Sequence, residues 1–196
     1  MLAIGQKIPR FSAEVYHHGK IEKVSSADFK GKWLVVVFYP GDFTFVCPTE
    51  LEELADSYER FTSLGAEILS ISMDDVLRHQ RWHESTPGIS KIKYPMGSDQ
   101  NGKIYNLFGI HSKYKRASVR ATYIFDSEGV LRAAETHDNR VGRSVSEILR
   151  MLAAAIYVQM HADELCPEGW EPGKPTINSK TGTLETSLNS SKRGHK

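Results

Sequence analysis

The sequence predicts an α/β fold: a mixed β-sheet flanked by helices, with an extended C-terminal arm. Three observations predict it. Strand-like and helix-like stretches alternate along the chain. The unbroken apolar run Trp33–Tyr39, with three consecutive valines and Phe38, has the pattern of a strand buried on both faces. After Trp170 the composition turns to Gly, Pro, Ser, Thr, Asn and Lys, which cannot bury enough apolar surface to form core.

Each element follows from its own pattern. Ser12–His17 and Ile21–Val24 flank Gly19 as a short hairpin. Trp33–Tyr39 is the central strand. From Pro48 the period changes, and Leu51, Leu54, Ala55, Tyr58 and Phe61 share one face of a helix that Gly65 is placed to end. Glu67–Ser72 is the next strand. Asp74 or Asp75 caps a helix carrying Val76, Leu77, Trp82 and His83. Gly97–Gly102 is a turn, and a short helix covers Ile104–Phe108. Ala121–Phe125 and Val130–Ala134 flank Asp126-Ser-Glu-Gly129 as a second hairpin. Ser144 and Glu147 form a capping-box pattern ahead of Val145, Ile148, Leu149, Leu152, Ile156 and Tyr157. Parallel crossovers early and a hairpin late make the sheet mixed.

Composition narrows the function. A net charge of +1 gives no large field for nucleic acid or an anionic membrane. The apolar runs are too short to span a bilayer, and Met1–Phe11 lacks the apolar core of a secretory signal. A cytoplasmic protein is expected. Only two cysteines occur, far apart in sequence. A small secreted domain stapled by disulfides would hold more, and a structural zinc site wants four ligands at short paired spacings. The two thiols are therefore either buried packing residues or reactive groups.

Local context favours reactivity at Cys47. It follows a buried strand and stands immediately before a helix whose first residue is Pro48, a favoured helix-starting position. The free N–H groups and positive dipole end of a first turn stabilise an anion, and the thiolate is the nucleophilic form of cysteine. The bland alternative is a small residue filling space at a strand end. Against it stand the Pro40, Thr44 and Cys47 spacing and the flanking Phe43 and Phe45.

Pro40-x-x-x-Thr44-x-x-Cys47 resembles the active-site motif of the peroxiredoxins, and Phe-Val-Cys-Pro-Thr-Glu resembles the branch that uses a second cysteine. Trp82-His83-Glu84 and Tyr94-Pro95-Met96 resemble the bacterial alkyl hydroperoxide reductase C members, and the similarity covers roughly residues 1 to 175. The resemblance implies a thioredoxin-like peroxidase domain over residues 1–165 and a resolving-cysteine arm with a polar tail over 166–196. It implies that Cys47 attacks hydroperoxides, that Thr44 hydrogen-bonds the thiolate and the peroxide, and that Pro40 shields the pocket. Family members also draw an arginine from a later strand. Val119-Arg120-Ala-Thr-Tyr-Ile-Phe-Asp126 looks like that strand, so Arg120 is the candidate, its planar fork suited to hold sulfur and peroxide oxygen together. Glu50 is placed to orient Arg120 or Tyr39, or to favour the helix dipole.

Glu164-Leu-Cys166-Pro-Glu-Gly-Trp170 resembles the resolving segment of typical two-cysteine members. Carried over, this makes Cys166 of a partner subunit the group that converts the Cys47 sulfenic acid to a disulfide, in a homodimer and, by subgroup, a decamer of five dimers. The expected reductant is a thioredoxin or a dedicated flavoprotein disulfide reductase, and no metal or organic cofactor is required. A peroxide sensor or oligomeric holdase is the alternative. A thioredoxin-like disulfide oxidoreductase would want Cys-x-x-Cys, and position 50 is Glu. His79 and His83 share a helix face at a spacing two imidazoles can use on one metal, but without a third ligand they are expected to be surface and packing residues. Trp82 and Trp170 are expected to pack.

Overall fold

A computed structural model describes residues 1–110 and 119–185, so residues 186–196 of the polar tail lie outside the described residues. The chain forms two compact units, Met1–Val145 and Ser146–Lys196. The division of contacts falls after Val145, at the first residue of the long helix.

In the first unit the elements are β1 (Ser12–His17), β2 (Lys20–Ser25), β3 (Trp33–Phe38), α1 (Cys47–Asp56), α2 (Tyr58–Ser63), β4 (Ala66–Ser72), α3 (Val76–Ser85), β5 (Met96–Ser98), α4 (Lys103–Leu107), β6 (Arg120–Phe125) and β7 (Leu131–His137). The seven strands form one mixed sheet in the order β2-β1-β5-β4-β3-β6-β7. β3, β4 and β5 run parallel, whereas β1 and β6 join that trio antiparallel. This is a thioredoxin-like arrangement. All six residues of β3 are buried, as its apolar run requires. Leu34, Val36 and Phe38 join Phe11, Tyr105, Phe108, Tyr123 and Phe125 in one core cluster. The Phe38 ring meets Tyr105 and Phe108 edge-on, each with centroids 4.8 Å apart.

Three expectations need correction. The helix after the central strand is two helices, broken at Ser57, whose amide still bonds to Glu53 O at 3.0 Å while its φ and ψ of −92° and −1° leave the α-helical path. Cys47, not Pro48, is the first helical residue. Met96–Ser98, placed partly in a turn by its glycine and short length, is a strand between β1 and β4. There the absence of a side chain at Gly97 relieves crowding, because a Cβ would stand 3.2 Å from Ser70 O.

The second unit carries all but the first residue of α5 (Val145–Met160) and a three-stranded antiparallel sheet of β8 (Glu164–Leu165), β9 (Thr176–Asn178) and β10 (Leu184–Glu185). The polar composition after Trp170 hides this sheet from sequence reading. Trp170 is buried, its ring 4.8 Å from that of Tyr157, and its Nε1 donates to Lys174 O at 3.1 Å. Among the described residues, no helix is long and apolar enough to cross a membrane.

Candidate active site

The chain leaves the carboxyl end of β3 through a loop and enters α1 at Cys47, which is fully buried. Open sheets of this kind place their chemistry beyond the carboxyl ends of the parallel strands. Val46, the residue ahead of α1, supplies no side-chain cap, so the first-turn amides remain available to an anion.

Arg120, the first residue of β6, reaches that helix end. Its Nη1 donates to Cys47 Sγ at 3.4 Å and to Glu50 Oε2 at 2.6 Å, and its Nε donates to Asn139 O at 2.9 Å. The sequence gives no sign of a second arginine here, yet Arg143 completes the cluster. Its backbone N and Nε donate to Glu50 Oε1 at 2.6 and 3.0 Å, and its Nη2 donates to Glu50 Oε2 at 2.9 Å. Arg143 Nη1 donates to Ala121 O and Thr122 Oγ1. Gly142, the residue ahead of Arg143, lies beside Val46 and Glu50, where a Cβ would make only ordinary contacts of 3.4 Å or more. The only sequence signal was Glu50 in the first turn of α1, a carboxylate too buried to stand alone.

All four groups are buried, with Cys47 at 0%, Arg120 at 2%, Glu50 at 3% and Arg143 at 8% exposure. Two guanidinium groups against one carboxylate leave one positive charge in excess within the cluster. Buried charge without a partner is expensive, so the cluster favours a fourth group that can carry negative charge, and the sulfur is in place to do so.

Burial pushes the Glu50 carboxyl upward, but the hydrogen bonds and charge of Arg143, with Arg120 behind them, outweigh it and hold the group below its ordinary 4.5. A carboxyl lowered in the folded state contributes stability that is present above 4.5 and is lost as pH falls through the folded value. Acid titration of unfolding stability is therefore expected to show a loss below about pH 4.5 that Glu50→Gln lacks. Parallel curves for the two proteins would refute this.

A second buried network fixes the loop ahead of Cys47. Asp42 accepts from the Tyr39 hydroxyl at 2.7 Å and faces His79 Nδ1 at 2.7 Å. His79 Nε2 lies 3.1 Å from Gly97 O, so that nitrogen carries a proton. The Asp42 amide donates to Asp74 Oδ2 at 2.8 Å. Burial, then the Asp42 charge, raises the Tyr39 hydroxyl well above its ordinary value, so it stays a donor. His79 is thus a fully buried partner of Asp42 rather than a surface group. Among the described residues no cluster of three or more His, Cys, Asp or Glu is placed to hold a metal.

Between these networks, Phe43 adopts a left-handed φ of 56°, uncommon for an aromatic residue and of the kind that collects at active sites. Its ring lies 5.8 Å from Trp82 and 5.2 Å from the Arg78 guanidinium. The Thr44 hydroxyl, expected on the sulfur, donates to Gly41 O at 2.9 Å. Pro40 is half-buried at the start of the loop. Cys166 belongs to the second unit, after β8, and both cysteines are free thiols.

Residues 4–134 match the AhpC/TSA family. Alkyl hydroperoxide reductase C of Pseudomonas aeruginosa is 36% identical over 177 residues, covering 90% of this chain and 95% of that protein. Its Salmonella typhimurium counterpart is 39% identical over the same shares. Among solved structures, Enterococcus faecalis AhpC superposes with a TM-score of 0.82 at 39% identity, covering 85% of this chain and all of that one. Reduced Plasmodium vivax 2-Cys peroxiredoxin gives 0.84 at 30% identity, covering 89% and 92%.

Proposed function

Since the chain belongs to the AhpC/TSA family and is a peroxiredoxin, we propose that it reduces hydrogen peroxide and alkyl hydroperoxides through Cys47 and resolves the product with Cys166 of a partner subunit. The observation that carries this reading is the Arg120 donor 3.4 Å from Cys47 Sγ, within a buried cluster that lacks one negative charge.

In the first step the thiolate attacks the distal peroxide oxygen. The S–O bond forms as the O–O bond breaks, sulfur is oxidised to sulfenic acid, and the leaving oxygen takes a proton as water or alcohol. Charge develops on that oxygen, where Arg120 and the free amides of the first turn of α1 are close enough to stabilise it. Thr44, turning its hydroxyl from Gly41 O, supplies a further donor, and Pro40 limits water at the loop.

In the second step the Cys166 thiolate attacks the sulfenic sulfur. The S–S bond forms, the S–O bond breaks, and hydroxide leaves with a proton as water. Disulfide geometry needs Cα atoms about 4.4–6.8 Å apart, and a buried sulfur in a helical first turn cannot be met there without that turn opening. An external dithiol then reduces the disulfide by exchange. We assign that role to a thioredoxin or a flavoprotein disulfide reductase, in the cytoplasm, with the peroxidase a homodimer that builds a decamer.

The test supplies a recycling dithiol and counts peroxide consumed per chain, alongside a non-reducing gel after one equivalent of peroxide. Many equivalents consumed, with a band near twice 22.1 kDa, is the expected result. A single oxidation per chain would replace the enzyme with a peroxide sensor.

A further inference from the structure

The second unit holds Cys166 by contacts that the peroxidase reading leaves unused, and Tyr157 on α5 is their hub. Its hydroxyl donates to Glu164 Oε2 at 2.6 Å, and its ring stacks on His161 with centroids 4.0 Å apart and lies 4.8 Å from Trp170. Glu164 Oε2 also accepts from Thr176 Oγ1 at 2.5 Å, and Thr176 is buried. On the other side of Cys166, Arg150 Nη1 donates to Trp170 O at 3.2 Å. The cysteine is therefore bracketed by two anchored residues, Glu164 and Trp170. Between them its sulfur is turned to α5, with Sγ 3.9 Å from Ala154 O.

The electrostatics suit a resting thiol. Hydrogen bonds from Thr176 and Tyr157 hold the Glu164 carboxyl below its ordinary value, so it is ionised. Burial, then the Glu164 charge, pushes the Cys166 thiol up, and Arg150 only partly opposes them.

We propose that Tyr157 and Thr176, acting through Glu164, form a latch that holds Cys166 against its own helix and must open before that sulfur can reach the oxidised Cys47. Tyr157 is then a positioning residue whose hydrogen bond sets the rate of resolution. The proposal rests on the reading of Cys166 as the resolving thiol. Its consequence concerns the sulfenic acid, which has two fates. Attack by Cys166 gives the disulfide and water, whereas a second hydroperoxide transfers another oxygen to give sulfinic acid and an alcohol or water. A tighter latch prolongs the sulfenic state and favours the second fate.

Reduced protein is mixed rapidly with excess hydrogen peroxide, quenched in acid at intervals and blocked with a maleimide. Disulfide is read on non-reducing gels and sulfinic acid by mass spectrometry. Tyr157→Phe keeps the ring contacts and loses the bond to Glu164. It should form disulfide about fivefold faster, the change expected on losing one hydrogen bond of ordinary net strength, and should give less sulfinic acid. Thr176→Val should act in the same direction. The split between steps is the diagnostic, because general loosening of the fold would not speed the second step selectively. Native alkylation of Cys166 in a Cys47→Ser background gives a readout that needs no peroxide chemistry, and Tyr157→Phe should raise that rate similarly. Disulfide formation and alkylation that are unchanged or slower in both latch variants would overturn the latch. A parent protein that forms no disulfide between Cys47 and Cys166 would instead overturn the peroxidase reading, while the alkylation rates still decide the latch.

Discussion

Cys47→Ser loses peroxide turnover down to the uncatalysed level, while Cys166→Ser still oxidises once and then stalls when the reductant is a protein dithiol. The two outcomes differ because the residues act at different steps. Cys47 supplies the attacking sulfur, and loss of a covalent nucleophile can cost on the order of 10⁶ in turnover. A serine hydroxyl in the same place lacks the nucleophilicity of a thiolate near neutral pH. Fold should survive, since the change swaps one small buried atom for another. Cys166→Ser leaves the first chemistry intact, so one equivalent of peroxide is consumed and Cys47 accumulates as sulfenic acid, detectable by a dimedone-type trap. Neither variant should give the disulfide dimer on a non-reducing gel. A Cys47→Ser protein that still consumes peroxide at the parent rate would end the assignment.

Arg120→Gln slows the reaction of Cys47 with peroxide by roughly 10²–10³, the loss typical of one preorganised donor at a site of developing charge. The geometry makes this residue hard to replace. One nitrogen of its guanidinium serves both Cys47 Sγ and Glu50 Oε2, while Nε is tied to Asn139 O. Gln keeps some hydrogen bonding but removes the charge that balances the sulfur. Arg120→Lys restores charge without the rigid fork, so it should fall between the parent and Gln. Glu50 keeps its bonds from Arg143 in each variant, so thermal unfolding should change far less than rate. Stopped-flow rates for the first oxidation decide the matter, and equal rates in all three proteins would remove Arg120 from the chemistry.

Much of this site is legible in the sequence because its signals are local. The apolar run into Phe38, the Pro40, Thr44 and Cys47 spacing and the helical period after Pro48 lie within a short stretch. Arg120 was legible by resemblance alone, through the strand pattern around it. Arg143 was not, because its partnership with Glu50 spans 93 residues and exists only where two distant segments meet. The Asp42–His79 pair was hidden for a similar reason. A histidine on a polar-looking helix gives no sign that its far side faces a carboxylate from a loop. β5 was missed because three residues including a glycine carry little strand pattern, and β9 and β10 because their unit is small and polar.

The interruption at Ser57 has a consequence for cooperativity. Helices shorter than about 12–15 residues are marginal on their own, since nucleation is costly and few bonds repay it. α1 has ten residues, so it persists through the packing of Cys47, Glu50, Leu51 and Leu54 rather than through its own length. A continuous helix to Ser63 would add α2 to the same cooperative unit and resist fraying at its start. The break loosens the tie between α1 and α2, which Ser57 N to Glu53 O and Phe61 N to Ser57 O still join, so the cost of melting the first turn of α1 falls mainly on one short helix.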